Sequence, residues 1–321
     1  MSAISLPGKV YCLDTGFQRK QMAACYAIES EGRWAIIETG TNDTVPLILA
    51  FLEQQAVSPE QVDFIIITHV HLDHAGGVGK LMESLGHAQL LVHEKGARHM
   101  IDPSKLQQGA TAVYGEQEFQ RTYGELLPVD ERRVTVMKDN SDVILGLRRL
   151  HFIDTPGHAD HHFCIFDEQT QGWFTGDTFG LAYKELDHNG KPFIIPTTTP
   201  VQFDPDKLKR SIQRLISYDP EVMYLTHFGE VHEPEKLSHQ LFDQIDELVQ
   251  IAQKYADLEE SLQVEGIYRE LMALLLRKLE HHGSGLSVEE QKKVLHSDVL
   301  LNAKGLFVYN KRQEKMLMAE N

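Results

Sequence analysis

Up to about residue 233 the chain is built from short apolar runs separated by polar and glycine-containing turns; beyond it, apolar residues recur at helical spacing. Residues 10–13, 24–29 and 34–39 predict an opening strand meander, with Glu31-Gly32 as a hairpin turn. Residues 64–68 predict a buried strand, and residues 90–93, 134–137, 143–147, 150–154, 163–167, 173–175 and 222–226 predict further short strands. Helices are expected over 44–55, 76–85 and 204–218, the last opened by Asp204-Pro205 as N-cap and first helical residue. Two groups of strands, each followed by helices, predict a layered α/β protein. No internal repeat is visible.

After Pro234 the pattern changes. Leu237, Leu241, Ile245, Leu248 and Ala252 share a helical face, and Ile267, Leu271, Leu274, Leu275 and Leu279 share another. Ser287 and Val288 open a third helix, and residues 300–309 are apolar. The chain is therefore expected to divide into a layered domain over 1–233 and a helical extension over 234–321. The extension is expected to pack on the layered domain or on a neighbouring subunit, with a cap over the site as the alternative, and its apolar pattern is compatible with a homodimer. Residues 183–200 carry little regular pattern and are the expected wall of a substrate pocket.

Chemistry concentrates where the predicted strands end. The run Phe64-Ile65-Ile66-Ile67 leads into His69-Val70-His71-Leu72-Asp73-His74, three imidazoles and a carboxylate in six residues. Neutral imidazole suits zinc and iron, and a carboxylate adds charge to hold a divalent ion. Further donors follow in order: His158 in Asp154-Thr155-Pro156-Gly157-His158, Asp177 in Gly176-Asp177, and His227 after residues 222–226. Strand ends are rigid and the loops beyond them are open, so side chains placed there can be held in fixed geometry and still meet a substrate.

Composition narrows the function. The formal charge of −16 repels polyanions, and no basic cluster with interleaved aromatics is present, so nucleic acid is not an expected partner. No apolar run approaches the roughly 20 residues needed to span a bilayer, so no membrane association is expected. The first nine residues show neither a basic start nor an apolar core, so no secretory signal is read and a cytoplasmic location is expected. Cys12, Cys25 and Cys164 lie in apolar stretches and read as reduced core thiols.

The HxHxDH run, the Gly-His at 157–158, the Gly-Asp at 176–177 and the final His227 resemble the metallo-β-lactamase superfamily, in the family's order, over residues from about 10 to 232. The resemblance implies a four-layer αβ/βα sandwich, here with a C-terminal helical extension. It implies two divalent metal ions, zinc first, with iron or manganese as alternatives. His69, His71 and His158 would hold one ion, Asp73, His74 and His227 the other, and Asp177 would bridge them. A bridging water of lowered pKa would attack a small ester, thioester or lactone, with Asp73 also handling a proton as the catalytic acid-base group. His162 is expected to orient ligands, and Tyr183 to donate to a substrate oxygen. Relatives usually have Asp-Thr-Gly where this chain has Glu38-Thr39-Gly40. The segments 93–104, 196–200 and 225–229 resemble a subgroup of mostly unassigned substrate, and the helical tail is similar to that of quinolone-signal thioesterases. Asp177, in place of the Cys of many zinc β-lactamases, argues against antibiotic hydrolysis. An iron-dependent oxidoreductase of the persulfide dioxygenase kind and a metal-stabilised binding protein remain as alternatives.

Overall fold

The computed structural model describes residues 3–198 and 200–320; Met1, Ser2, Asn321 and Thr199 of the 196–200 segment lie outside the described residues. The first sheet takes its strands in chain order: β1 (Ile4–Leu6), β2 (Val10–Asp14), β3 (Ala24–Ser30), β4 (Arg33–Ile37), β5 (Val62–Ile66), β6 (Gln89–His93) and β7 (Val134–Met137). The meander β1 to β4 is antiparallel, and β4 to β7 run parallel. Glu31 and Gly32 both take positive φ, 52° and 75°, the conformation a two-residue hairpin turn requires.

The second sheet contains β8 (Ser141–Leu145), β9 (Arg148–Asp154), β10 (Phe163–Asp167), β11 (Gly172–Phe174), β12 (Val222–Leu225) and β13 (Gly229–Val231), in the order β13-β12-β11-β10-β9-β8. Its strands β8 to β11 are antiparallel neighbours, and β12 joins β11 in parallel.

Strand periodicity sorts the buried residues into two cores. In β5, Ile65 packs in a cluster with Val45, Ile48 and Phe51 of helix α1 (Val45–Gln54). Ile66 points the other way, into a cluster shared with Phe152 of β9, Phe163 of β10 and Tyr224 of β12. The two sheets therefore face each other across an apolar layer. Tyr26 of β3 crosses that layer: its hydroxyl donates to Leu225 O at 2.5 Å, and its ring meets Phe174 and Tyr224 edge-on. The chain has the expected α/β architecture, two sheets with helices and a C-terminal helical region.

Helices α2 (Leu72–Ala75), α3 (Val78–Ser84), α4 (Glu94–Ile101), α5 (Ser104–Tyr114) and α6 (Glu116–Thr122) lie between β5 and β7 in the chain. Helices α7 (Pro205–Ile216), α8 (Pro234–Lys254), α9 (Glu260–His282) and α10 (Val288–Glu320) follow. Asp204 caps α7 as expected, its carboxylate accepting from Lys207 N at 2.9 Å. The predicted apolar stripe of α8 is buried throughout, and so are Ile267, Leu271, Leu275 and Leu279 of α9. All three cysteines are buried and lie outside any disulfide. Among the described residues no helix is long and apolar enough to cross a membrane.

Backbone contacts divide the chain into two compact units. The first comprises Met1–Asp154, His161–Gly176 and Pro220–Glu230 and carries the sheets and helices α1 to α6. The second comprises Thr155–Asp160, Asp177–Asp219 and Val231–Asn321. In it α8 packs on α7, α9 and α10, and α9 packs along α10.

Candidate metal centre

The HxHxDH run straddles a strand end and a helix start. β5 stops at Ile66, His71 takes an extended backbone (φ −63°, ψ 148°) as the residue before α2, and Asp73 and His74 fall in the first turn of α2. Thr39 pins that turn: its N–H and its hydroxyl both donate to His74 O, at 2.8 and 2.9 Å. The change from extended to helical backbone lets four near-consecutive side chains converge, which a continuous strand would send to alternate faces.

Within the first unit, three imidazoles are each held by one nitrogen and present the other. His69 Nδ1 lies 3.0 Å from Thr68 Oγ1, and its Nε2 lies 2.8 Å from His71 Nδ1. His74 Nδ1 donates to Glu38 Oε1 at 3.1 Å. His227 follows β12, and its Nδ1 donates to Met22 O at 2.8 Å. The opposite nitrogens of these last two face one carboxylate: Asp73 Oδ2 is 3.4 Å from His227 Nε2 and 3.7 Å from His74 Nε2. Anchoring one ring nitrogen fixes the tautomer and directs the other nitrogen's lone pair.

Glu38 is the hub of this arrangement. It is 1% exposed, with φ of 64°, a left-handed backbone that a non-glycine residue adopts at a cost of about 1–3 kcal/mol. Its Oε1 accepts from His74, from Thr68 Oγ1 at 2.5 Å and from Thr226 Oγ1 at 3.4 Å, and its Oε2 accepts from Thr68 N at 3.3 Å. One carboxylate thus orients His74 directly, His69 through Thr68, and the residue preceding His227. Glu38 thus fills the supporting position for which the resemblance implies a shorter Asp.

Within the second unit, His158 is fully buried. Its Nδ1 lies 2.8 Å from Thr197 Oγ1, and its Nε2 lies 3.3 Å from Asp177 Oδ2. The loop carrying it is held by α7: Asp204 N donates to Gly157 O at 2.8 Å, and Ser211 Oγ donates to Pro156 O at 2.7 Å.

Two sets of donor atoms in the first unit lie within 4.8 Å of one another: Asp73, His74 and His227; and Glu38, His69 and His74. The same unit brings His69 together with His71, and the second brings His158 together with Asp177. The expected ligands suit a divalent ion. Bonds of about 2.0–2.1 Å place neighbouring ligands of a tetrahedral ion about 3.3 Å apart, close to the separations of 2.8 to 3.7 Å found here. In the set that includes Glu38, its oxygens are already engaged with Thr68, Thr226 and His74, so Glu38 reads as a support.

His162 is fully buried and stacks on His69, ring centroids 4.7 Å apart. Gly176 makes room for it: a Cβ at that position (φ 49°) would lie 2.4 Å from Thr68 Oγ1 and 2.5 Å from His162 Nε2. This close approach is why a glycine precedes Asp177. His161 lies beside the HxHxDH run, 5.5 Å from the His71 ring, and burial, reinforced by His71, His99 and His93, pulls its pKa down to about 3. It is neutral at physiological pH. Tyr183 is fully buried, and its hydroxyl donates to Asp298 Oδ1 of α10 at 3.0 Å. Thr68, Thr197 and Thr226 were not singled out by the sequence. Thr68 and Thr226 carry a recognisable signal, since each immediately precedes a histidine at a strand end; Thr197 lies in the 196–200 segment that resembles the subgroup, but nothing in that irregular run ties it to His158.

Comparison with known proteins shows what the chain is similar to. The profile of the family described as Metallo-beta-lactamase superfamily matches residues 19–227. A metallo-beta-lactamase fold-containing protein of Sulfurisphaera tokodaii is 29% identical over 213 residues, covering 65% of this chain and 74% of that protein. A hydroxyacylglutathione hydrolase of Francisella tularensis subsp. novicida is 29% identical over 128 residues, 40% of this chain and 38% of the enzyme. Among solved structures, a metallo-beta-lactamase family protein from Thermus thermophilus shares the fold with a TM-score of 0.66 at 19% identity, covering 97% of this chain and 94% of its own. An archaeal superfamily protein from Sulfolobus tokodaii does so with a TM-score of 0.63 at 23% identity, covering 92% and 97%.

Proposed function

The chain belongs to the metallo-β-lactamase superfamily, and from that premise we propose that it is a metal-dependent hydrolase of a small ester-type substrate, thioesters foremost, with esters and lactones in the same class. The observation that carries this reading is the convergence of Asp73, His74 and His227 within 4.8 Å, beside the paired rings of His69 and His71 in the same unit. The pairing of His158 with Asp177 in the second unit adds to it. The similarity to a hydroxyacylglutathione hydrolase supports the choice of a thioester.

In this reading His69, His71 and His158 would hold one divalent ion, Asp73, His74 and His227 would hold a second, and Asp177 would serve both. The nitrogen and oxygen donors suit zinc, with iron and manganese as alternatives. When bound, such ions polarise a carbonyl oxygen and lower the pKa of a shared water toward neutrality. The chain's own groups do the rest. Thr68, Glu38, Met22 O and Thr197 keep the imidazole rings in register, so little reorganisation accompanies the reaction. Asp73, with its side chain 25% exposed against 8% for Asp177, is the more open donor carboxylate. Its Oδ2 faces His74 and His227, and proton transfer to the leaving group is assigned to Oδ1. Asp73→Asn is expected to retain at least one ion and to lose most turnover; full metal content with full turnover would remove that role.

The test of the reading is metal analysis of the purified protein, followed by a panel of acyl thioesters, lactones and phosphodiesters with zinc-, manganese- and iron-loaded forms. Metal-dependent turnover of a thioester or lactone is expected. Protein that takes up no metal, or that consumes oxygen with a persulfide while hydrolysing no panel member, would overturn it.

A further inference from the structure

Outside the donor sets, the last helix carries a buried polar clamp. In the middle of α10, Asn302 is 4% exposed. A buried amide inside a helix is costly unless its polar atoms are satisfied. Here both ends of the amide are spent on one short segment. Asn302 Oδ1 accepts from Thr198 N at 2.7 Å, and Asn302 Nδ2 donates to Pro196 O at 3.2 Å. Thr198 Oγ1 returns the contact by donating to Asn302 O at 2.9 Å.

The amide therefore brackets Thr197 on both sides, as a neighbouring strand would. Gly305 lies three residues further along the same helix face. A Cβ there would sit 2.2 Å from Thr198 O, so the helix backbone and the segment are in direct contact. Between the two clamped residues, Thr197 presents its hydroxyl to His158 Nδ1 at 2.8 Å. The far nitrogen of that ring faces Asp177.

We propose that α10 is a positioning arm for a metal ligand: Asn302 and Gly305 fix the 196–198 segment so that Thr197 sets the orientation of the His158 ring. The inference rests on the metal-binding reading given above and adds to it a structural dependence on the C-terminal helix. Thr197 accepts from Nδ1–H and keeps the Nε2 lone pair on the metal side. Asn302 and Gly305 act only through Thr197, as positioning residues. With Asn302 shortened, the segment loses its bracket, and His158 gains rotational freedom that must be lost again when an ion binds.

Cobalt(II) added to metal-free protein is the probe, with affinity read by competition against a chelating dye and geometry read from the visible absorption bands. Thr197→Val removes the hydroxyl at nearly constant volume, Thr197→Ser restores it, and Asn302→Ala and Gly305→Ala disturb the clamp. In Thr197→Val and Asn302→Ala, one of the two cobalt ions is expected to bind roughly 10- to 100-fold more weakly with altered bands, while the other ion keeps its affinity. Thr197→Ser is expected to behave as wild type. The melting temperature of each metal-free variant separates lost positioning from lost folding; should Asn302→Ala unfold, the half-buried Thr197 pair decides. Wild-type affinity and spectra for both ions in Thr197→Val would overturn the positioning role. A wild-type protein that binds no cobalt would instead overturn the proposed function, a result distinct from the first.

Discussion

A single carboxylate shows how much of the site rests on residues that bind nothing themselves. Glu38 accepts from Thr68, His74 and Thr226, and so reaches three of the expected ligand positions from one buried point. Glu38→Gln keeps the shape but turns one acceptor oxygen into a donor, which conflicts with donors already aimed at it. Its affinity for metal, measured by chelator competition, is expected to fall roughly 10- to 100-fold. Unchanged affinity would show that the imidazoles are held by packing alone. The expected ligand residues stand out in the sequence because HxHxDH, Gly-His, Gly-Asp and a late His are dense, ordered signals. The residues that aim them were harder to read. A threonine is common and its hydroxyl acts through distance, and Thr197 meets His158 from across an irregular segment that has no periodicity to anchor it.

Elements explain why donors so far apart in sequence arise at rigid points. β5, β9, β11 and β12 each end just before a donor, and at the other end β9 begins with Arg148, which lies fully buried against Asp167 of β10. Arg148 Nε donates to Asp167 Oδ1 at 2.8 Å, and its Nη1 donates to Gly8 O in the turn between β1 and β2 and to Glu29 O of β3. Arg148 thus joins the two sheets at the end of β9 remote from His158. Replacing it with Met leaves a buried carboxylate without its counter-charge, and urea unfolding should lose about 3–5 kcal/mol. Metal content per folded molecule should stay at the wild-type level, and a loss of metal would show that the two ends of the sandwich are coupled. Most strands were legible at this scale, since alternation and short apolar runs mark them. The three-residue β1 and β13 are too short to display a period. Helices α5 and α6 were missed for a different reason: among their described side chains all but Phe119 are exposed or half-buried, so no apolar stripe announces them.

At the scale of the whole molecule, the charge of −16 and the carboxylates Asp73 and Asp177 favour cation uptake, and two dications would offset about four of those charges. Ions that bind only the folded chain stabilise it in proportion to their affinity, by about 2.7 kcal/mol for each at a hundred times its dissociation constant. Calorimetric melting with and without EDTA should therefore show a lower transition in the chelator. Coincident transitions would mean that the donor sets do not bind metal in the native protein. The bond from Thr198 to Asn302 spans 104 residues of sequence. A ribosome adding roughly 5–20 residues per second needs on the order of 5–20 s to supply that stretch. Once His227 has been added, the nascent polypeptide holds every expected donor yet still lacks the helix proposed to lock His158, so tight uptake of the ion assigned to that ring is expected only after α10 has been synthesised and docked.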